Sequence, residues 1–172
     1  MQTLRILTFN WHDPYLSMFA KIGHQIEVGD WMARADGTCG WDLEKRPLPD
    51  NLRLIRHPRE AADLLQEGAC DLVVCHTIRD LAFVAPFDVP TIFLSHNALH
   101  NDALNDANQM AKIRDKVGRF LSDQQGIFSA ISPMKLESWG LDGFVVRPGI
   151  DLGAYRGYTG DEVVALSVGN LF

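Results

Sequence analysis

The sequence runs to 172 residues, a length that one ordinary domain fills with enough chain to bury a core. Apolar residues make up 47% and charged residues 22%, which excludes a disordered or fibrous chain and predicts soluble, globular material. With 16 Lys and Arg against 22 Asp and Glu the formal charge is −6, a balance that argues against a nucleic-acid binder held by phosphate contacts.

No apolar run approaches the ~20 residues of a membrane span. The opening stretch MQTLRILTFNWHD reaches His12 and Asp13 too soon for a signal peptide, so no integral membrane segment is expected. Cys39, Cys70 and Cys75 are odd in number and form no CxxC pair, which predicts a reduced, cytoplasmic setting without a structural zinc site. The acidic balance argues mildly against tight membrane association and leaves peripheral attachment at the inner membrane face open.

In chain order, LRILTF (4–9) reads as a first strand. Asp13-Pro14 then supplies an N-cap and a first-turn proline for a helix that Gly23 ends. HQIEVGDW (24–31) is a second strand. MARADGTCGWDLEKRPLPD (32–50) lacks periodicity and is long for a connection, so it reads as a functional loop or a partly disordered one. NLRLIRH (51–57) follows as a strand, and PREAADLLQEG places Ala61, Leu64 and Leu65 on one helical face before Gly68 closes it. DLVVCHT (71–77) and PTIFLSHN (90–97) are apolar at successive positions, as strands covered on both faces are. Within 98–125, Leu104, Ala107, Met110, Ile113, Val117 and Leu121 recur at helical spacing and predict a long amphipathic helix, begun by a loop. GIFSAIS (126–132) is a strand, Ser132-Pro133 caps a helix that Gly140 stops, and GFVVRPG (143–149) is a further strand. The chain closes on EVVALSVGNLF (162–172), another buried-strand pattern. The rhythm predicts an α/β fold: a Rossmann-like, doubly wound, mostly parallel sheet with helices on both faces.

In such a sheet, ligands bind beyond the carboxyl ends of the strands. That rule collects Asn10, Trp11, His12 and Asp13 after the first strand and His76 and Thr77 after the fourth. It adds Ser95, His96 and Asn97 after the fifth, and Pro148, Gly149 and Asp151 after the seventh. His96 and His76 sit where an imidazole can hydrogen-bond a ligand or stabilise developing charge; the plainer alternative is a bond to a neighbouring carbonyl that holds the loop. His12 precedes a helix start, where free N–H groups favour anions, whereas Asp13 reads as the N-cap. Cys70 and Cys75 read as core packing on opposite faces of a strand, and Lys112, Lys116 and Arg119 as a solvated helix face. P-loop, GxGxxG, HExxH and GxSxG patterns are all absent from the sequence.

The last third, FSAISPMKLESWGL, then GFVVRPGIDL, then VVALSVGNLF, resembles the seam of a retaining glycosyltransferase of the GT-B fold, family 4 type. Upstream, DLVVCH resembles that family's "DvvhaH" strand and TIFLSHN its "vvtvHd" strand. Three features depart from the pattern: Pro148-Gly149 lacks the intervening Asn of "PNGVD", Asn170 replaces the Arg of "VGRL", and the first loop lacks glycines. The resemblance implies that residues 1–160 form the amino-terminal, acceptor-side domain and that 161–172 begin a donor-binding domain, so that this stretch alone would be inactive. It implies transfer of a sugar from a nucleotide-diphosphate donor to a glycan, lipid or small-molecule acceptor, with retention and without metal or other cofactor. By the same resemblance His96 is the catalytic residue near the transferred sugar, with Asn10, Trp11, His12, His76, Asn97, Gly149 and Asp151 in substrate binding. The alternative is a non-catalytic α/β module that binds a ligand or protein, distinguished by whether residues 163–168 pair inside this sheet.

Overall fold

A computed structural model describes residues 2–31, 40–124 and 126–149. Cys39, Asp151, the strand pattern at 162–172 and the domain boundary after residue 160 lie outside the described residues.

Each of the first seven predicted strands forms within its expected stretch: β1 (Arg5–Phe9), β2 (Gln25–Gly29), β3 (Leu52–Ile55), β4 (Leu72–Cys75), β5 (Thr91–Ser95), β6 (Ile127–Ala130) and β7 (Phe144–Val145). All neighbours pair in parallel, in the order β3-β2-β1-β4-β5-β6-β7. Among the described residues six α-helices connect them, α1 (Asp13–Phe19), α2 (Pro58–Gln66), α3 (Ile78–Val84), α4 (Leu99–Asp102), α5 (Ala107–Asp123) and α6 (Pro133–Trp139), with a 3-10 turn (Ala20–Ile22) after α1. The chain is a Rossmann-like α/β protein.

The distribution of helices follows from strand order. Parallel crossovers are right-handed, so a chain stepping one way across the sheet and a chain stepping back leave their helices on opposite faces. The step from β1 to β2 puts α1 on one face, where Leu16 packs on Ile6, Ile26 and Val28. The steps from β4 onward put α3, α5 and α6 on the other, where Leu81, Val84, Val117, Leu121 and Trp139 join Leu7, Phe9 and Phe93. Trp139 is wholly buried and meets Phe93 edge-on at 5.5 Å. Its ring alone contributes on the order of 4–6 kcal/mol of burial.

On α1's face, the described residues 40–50, between β2 and β3, are turns and irregular chain. Trp41 is buried against Leu52, its ring N–H donates to the Arg46 carbonyl at 2.8 Å, and its backbone N–H donates to Asp30 at 2.9 Å. The described part of the 32–50 stretch is thus packed covering. Further along the same face, no described helix roofs β4–β6. An apolar groove of about 660 Å³ lies there, floored by Val74, Ile92 and Leu94 and walled by Tyr15 and Phe19 of α1 and by residues 146–149.

Several expectations are corrected. α3 was not among the predicted helices; it starts with a capping box in which Thr77 and Asp80 bond each other's backbone N–H. The long helix begins only at Ala107, because Leu104 and Asn105 take positive φ of 50° and 61° and break the chain from α4. Leu104, expected on the apolar face, is therefore 87% exposed. Ala107 is also exposed, whereas Val117 and Leu121 are buried as predicted. Cys70 and Cys75 are both core residues, but they join one cluster on one face. Cys70 precedes the strand, so strand alternation does not govern it. Lys112, Lys116 and Arg119 are exposed. Among the described residues, no helix is long and apolar enough to cross a membrane.

Candidate functional site

The direction of winding reverses at β1: the chain leaves β1 toward β2 and β3, then returns to β4 on its other side. The carboxyl ends of β1 and β4 therefore flank the switch point, where open parallel sheets bind ligands. Just beyond β1, the Trp11 N–H bonds the Phe9 carbonyl at 3.0 Å and turns the chain sharply. This swings the Trp11 indole over the ends of β4 and β5.

There the predicted residues Trp11, His12, His76 and His96 come together. The Trp11 and His96 rings lie 4.1 Å apart at 39°, and Tyr15 meets His96 edge-on at 4.8 Å. Trp11 is also 5.3 Å from the His12 ring and 5.8 Å from that of His76. His76 Nδ1 is 3.0 Å from His96 Nε2, and His76 Nε2 is 2.9 Å from the Thr8 hydroxyl, which donates to the Val74 carbonyl at 2.9 Å. His76 is 6% and His96 9% exposed. The Trp11 ring N–H is buried and, among the described residues, has no hydrogen-bond partner.

Burial sets the charge of this cluster. The His96 pKa is lowered to about 4, first by desolvation and then by the positive charge of Lys135 and by His12. Desolvation, reinforced by His96, holds His76 well below its ordinary value, against the opposing pull of the Leu94 carbonyl. Burial pushes the Tyr15 phenol up to about 12. At neutral pH His76, His96 and Tyr15 are uncharged and packed on the Trp11 indole.

The backbone that carries His96 is bolted to α6. Lys135 Nζ donates to the His96 carbonyl, and the Trp139 ring N–H donates to the Asn97 carbonyl at 3.1 Å. Ser95 Oγ reaches the same Asn97 oxygen at 2.8 Å. His76 is held by its own N–H, which donates to buried Asp80 at 2.8 Å.

Other predicted residues go elsewhere. Asn10 turns toward Asp30, donating from Nδ2 at 2.6 Å, and leaves its buried Oδ1 unpaired. The Asn97 side chain is exposed and donates to Asp102 at 3.1 Å. Asp13 is the first helical residue; His12, extended at φ −163°, is the N-cap. The buried Asp13 carboxylate accepts from the Asp42 N–H at 3.1 Å instead. Pro148 and Gly149 line the apolar groove, and Tyr15 belongs both to that groove and to the imidazole cluster. Asp151 lies outside the described residues.

Sequence reasoning missed Thr8, Tyr15, Lys135 and Asp30. Thr8 carried one signal, a lone hydroxyl inside LRILTF; Tyr15 and Lys135 carried none. Asp30 stands at the end of β2, where dinucleotide-binding sheets hold a ribose. Here its carboxylate is filled by Asn10, the Trp41 N–H and the Arg56 guanidinium, and its side chain is 1% exposed. Among the described residues, no group of three or more His, Cys, Asp or Glu is arranged to hold a metal ion. No protein-family model, curated protein or solved structure matches the chain.

Proposed function

We propose that the chain is the acceptor-side domain of a retaining glycosyltransferase, with the sugar of a nucleotide-diphosphate donor resting on its Trp11–His96 edge while a second domain grips the nucleotide. One observation carries the reading: at the switch point, an indole stacks beside a neutral, buried imidazole. Sugars present apolar C–H faces beside hydroxyl groups, and Trp11 with His96 offers a surface for each. The filled Asp30 and the bulky Asn10-Trp11 loop favour a sugar over a dinucleotide at this edge.

In the proposed reaction, the acceptor oxygen bonds to the anomeric carbon as the bond from that carbon to the donor's β-phosphate oxygen breaks. The bonding pair leaves with the nucleoside diphosphate, which takes the acceptor's proton. Positive charge builds on the sugar ring in the transition state. A neutral His96 does not oppose that charge as an imidazolium would, and the electron-rich faces of Trp11 and Tyr15 attract it.

Titrating the chain with UDP-glucose and with GDP-mannose, read by tryptophan fluorescence, tests the edge itself. Saturable binding that Trp11→Ala abolishes supports the reading; no response to either donor sugar counts against it. In the protein that includes the opposing domain, His96→Ala is expected to cut sugar transfer by well over tenfold without unfolding. Unchanged turnover would remove His96 from the site.

The apolar groove favours a second reading, a non-catalytic module for a small apolar ligand. Its volume of about 660 Å³ suits one. Saturable decanoate binding with indifference to both donor sugars would select that reading over the first.

A further inference from the structure

We infer that Thr8 and His76 lock the tautomer of His96, leaving its Nδ1 as a bare acceptor aimed at a ligand hydroxyl. Thr8 and His76 are thus positioning residues. Naming a hydroxyl as the ligand group rests on the sugar reading above; the tautomer stands on the geometry of the chain alone.

The assignment runs in one direction from a group that cannot donate. The Val74 carbonyl only accepts, and Thr8 Oγ1 lies 2.9 Å from it, so the hydroxyl hydrogen points at Val74. The Thr8 oxygen therefore meets His76 Nε2, 2.9 Å away, with a lone pair, and Nε2 must carry a hydrogen. A neutral imidazole has only one N–H, so His76 Nδ1 is bare. His96 Nε2, 3.0 Å from that nitrogen, must then donate to it. His96 is also neutral, and its single N–H is spent. Its Nδ1 is left with a lone pair and, among the described residues, no donor.

The ring cannot escape by turning over. A flip would replace Nε2 with carbon opposite His76 and break the bond, and Trp11 and Tyr15 pack the imidazole at 4.1 and 4.8 Å. A carboxylate, phosphate or carbonyl oxygen at Nδ1 would set lone pair against lone pair. A hydroxyl can donate there, and an ionised carboxylate cannot.

The test is a two-bond 1H–15N correlation spectrum of the chain labelled with 15N-histidine, at pH 7 and without ligand. Both rings are expected to show a protonated Nε2 and a bare Nδ1. A proton on Nδ1 of either ring overturns the inference. Thr8→Val keeps the branched shape and removes the acceptor oxygen. It is expected to free the His76 proton to move to Nδ1 and to shift the His96 pattern with it. Thr8→Ser should restore the original spectrum, whereas an unchanged Thr8→Val spectrum refutes the role of Thr8. If Thr8→Val does not fold, the unmodified chain's spectrum still decides. The donor-sugar titration fails or succeeds separately, because this spectrum needs no ligand.

Discussion

His76 and His96 share one hydrogen bond, 3.0 Å from Nδ1 to Nε2, between the ends of neighbouring strands β4 and β5. Both imidazoles are neutral because burial penalises the cation, so their folded pKa values lie below the unfolded value of about 6.5. Below pH 6.5 the unfolded chain binds protons that the native chain refuses, and native stability falls with pH. For His96 the loss runs from about pH 6.5 down to about 4; His76, also held below its ordinary value, adds a loss of the same sign. Lys135 and His12 face His96, and their charge deepens the effect. Urea unfolding at pH 7 and at pH 5 is expected to show lower stability at pH 5, by up to about 1.4 kcal/mol per pH unit per ring. His96→Gln should flatten the slope. Equal stability at both pH values would mean that neither ring is neutral in the fold.

Arg56 and Asp30 make an unequal ion pair, with the guanidinium half in water and the carboxylate sealed. Removing Arg56 leaves a buried carboxylate with two neutral donors, from Asn10 and Trp41. Arg56→Ala is expected to destabilise the fold by about 2 kcal/mol. Adding Asp30→Asn should recover part of that loss, because the uncompensated charge is gone. A strictly additive double variant, measured by chemical denaturation, would count against the pairing.

Trp11 carries a buried ring N–H without an acceptor among the described residues. An orphaned donor of this kind costs about 1–3 kcal/mol. Trp11→Phe keeps an aromatic surface and removes the donor, so it is expected to leave the ligand-free fold as stable or more stable while weakening donor-sugar binding. A clear loss of stability would show that the N–H has found a partner, such as a trapped water.

Two glycines separate packing from mere turn composition. A β-carbon on Gly143 would stand 2.4 Å from the Phe128 carbonyl oxygen, in the pairing of β6 with β7. Gly143→Ala is expected to cost about 1–3 kcal/mol. A β-carbon on Gly149 would meet no atom of the described residues within 4 Å, and Gly149→Ala should leave the melting temperature unchanged. Similar melting temperatures for the two variants would contradict the close approach at Gly143.

The strands were legible because burial on both faces demands runs such as IFL and LVV, and no helix of that length needs them. The site was legible as far as topology reaches: Trp11, His12, His76 and His96 follow strand ends, and the switch point brings those ends together. What the sequence hid depends on side-chain direction. Asn10 and Asn97 occupy the same edge and turn away to Asp30 and Asp102. Tyr15 and Lys135 arrive from helices whose rotation about their axes is set by core packing. The break at Leu104 was hidden for a related reason, since two residues in left-handed conformation interrupt a periodicity that the letters continue. Asp30 carried no signal beyond its place in the second strand's stretch, and its carboxylate is an internal anchor.

The place of β1 in the sheet has a consequence for synthesis. It lies between β2 and β4, and its second neighbour is complete only once Cys75 has been made. A nascent chain thus carries Ile6, Leu7 and Phe9 half-paired from the completion of β2 at Gly29 until Cys75 has emerged, an adhesive edge that invites chaperone capture. Any truncation that removes these five residues would also cut the sheet into two separate ribbons, rather than trimming its border.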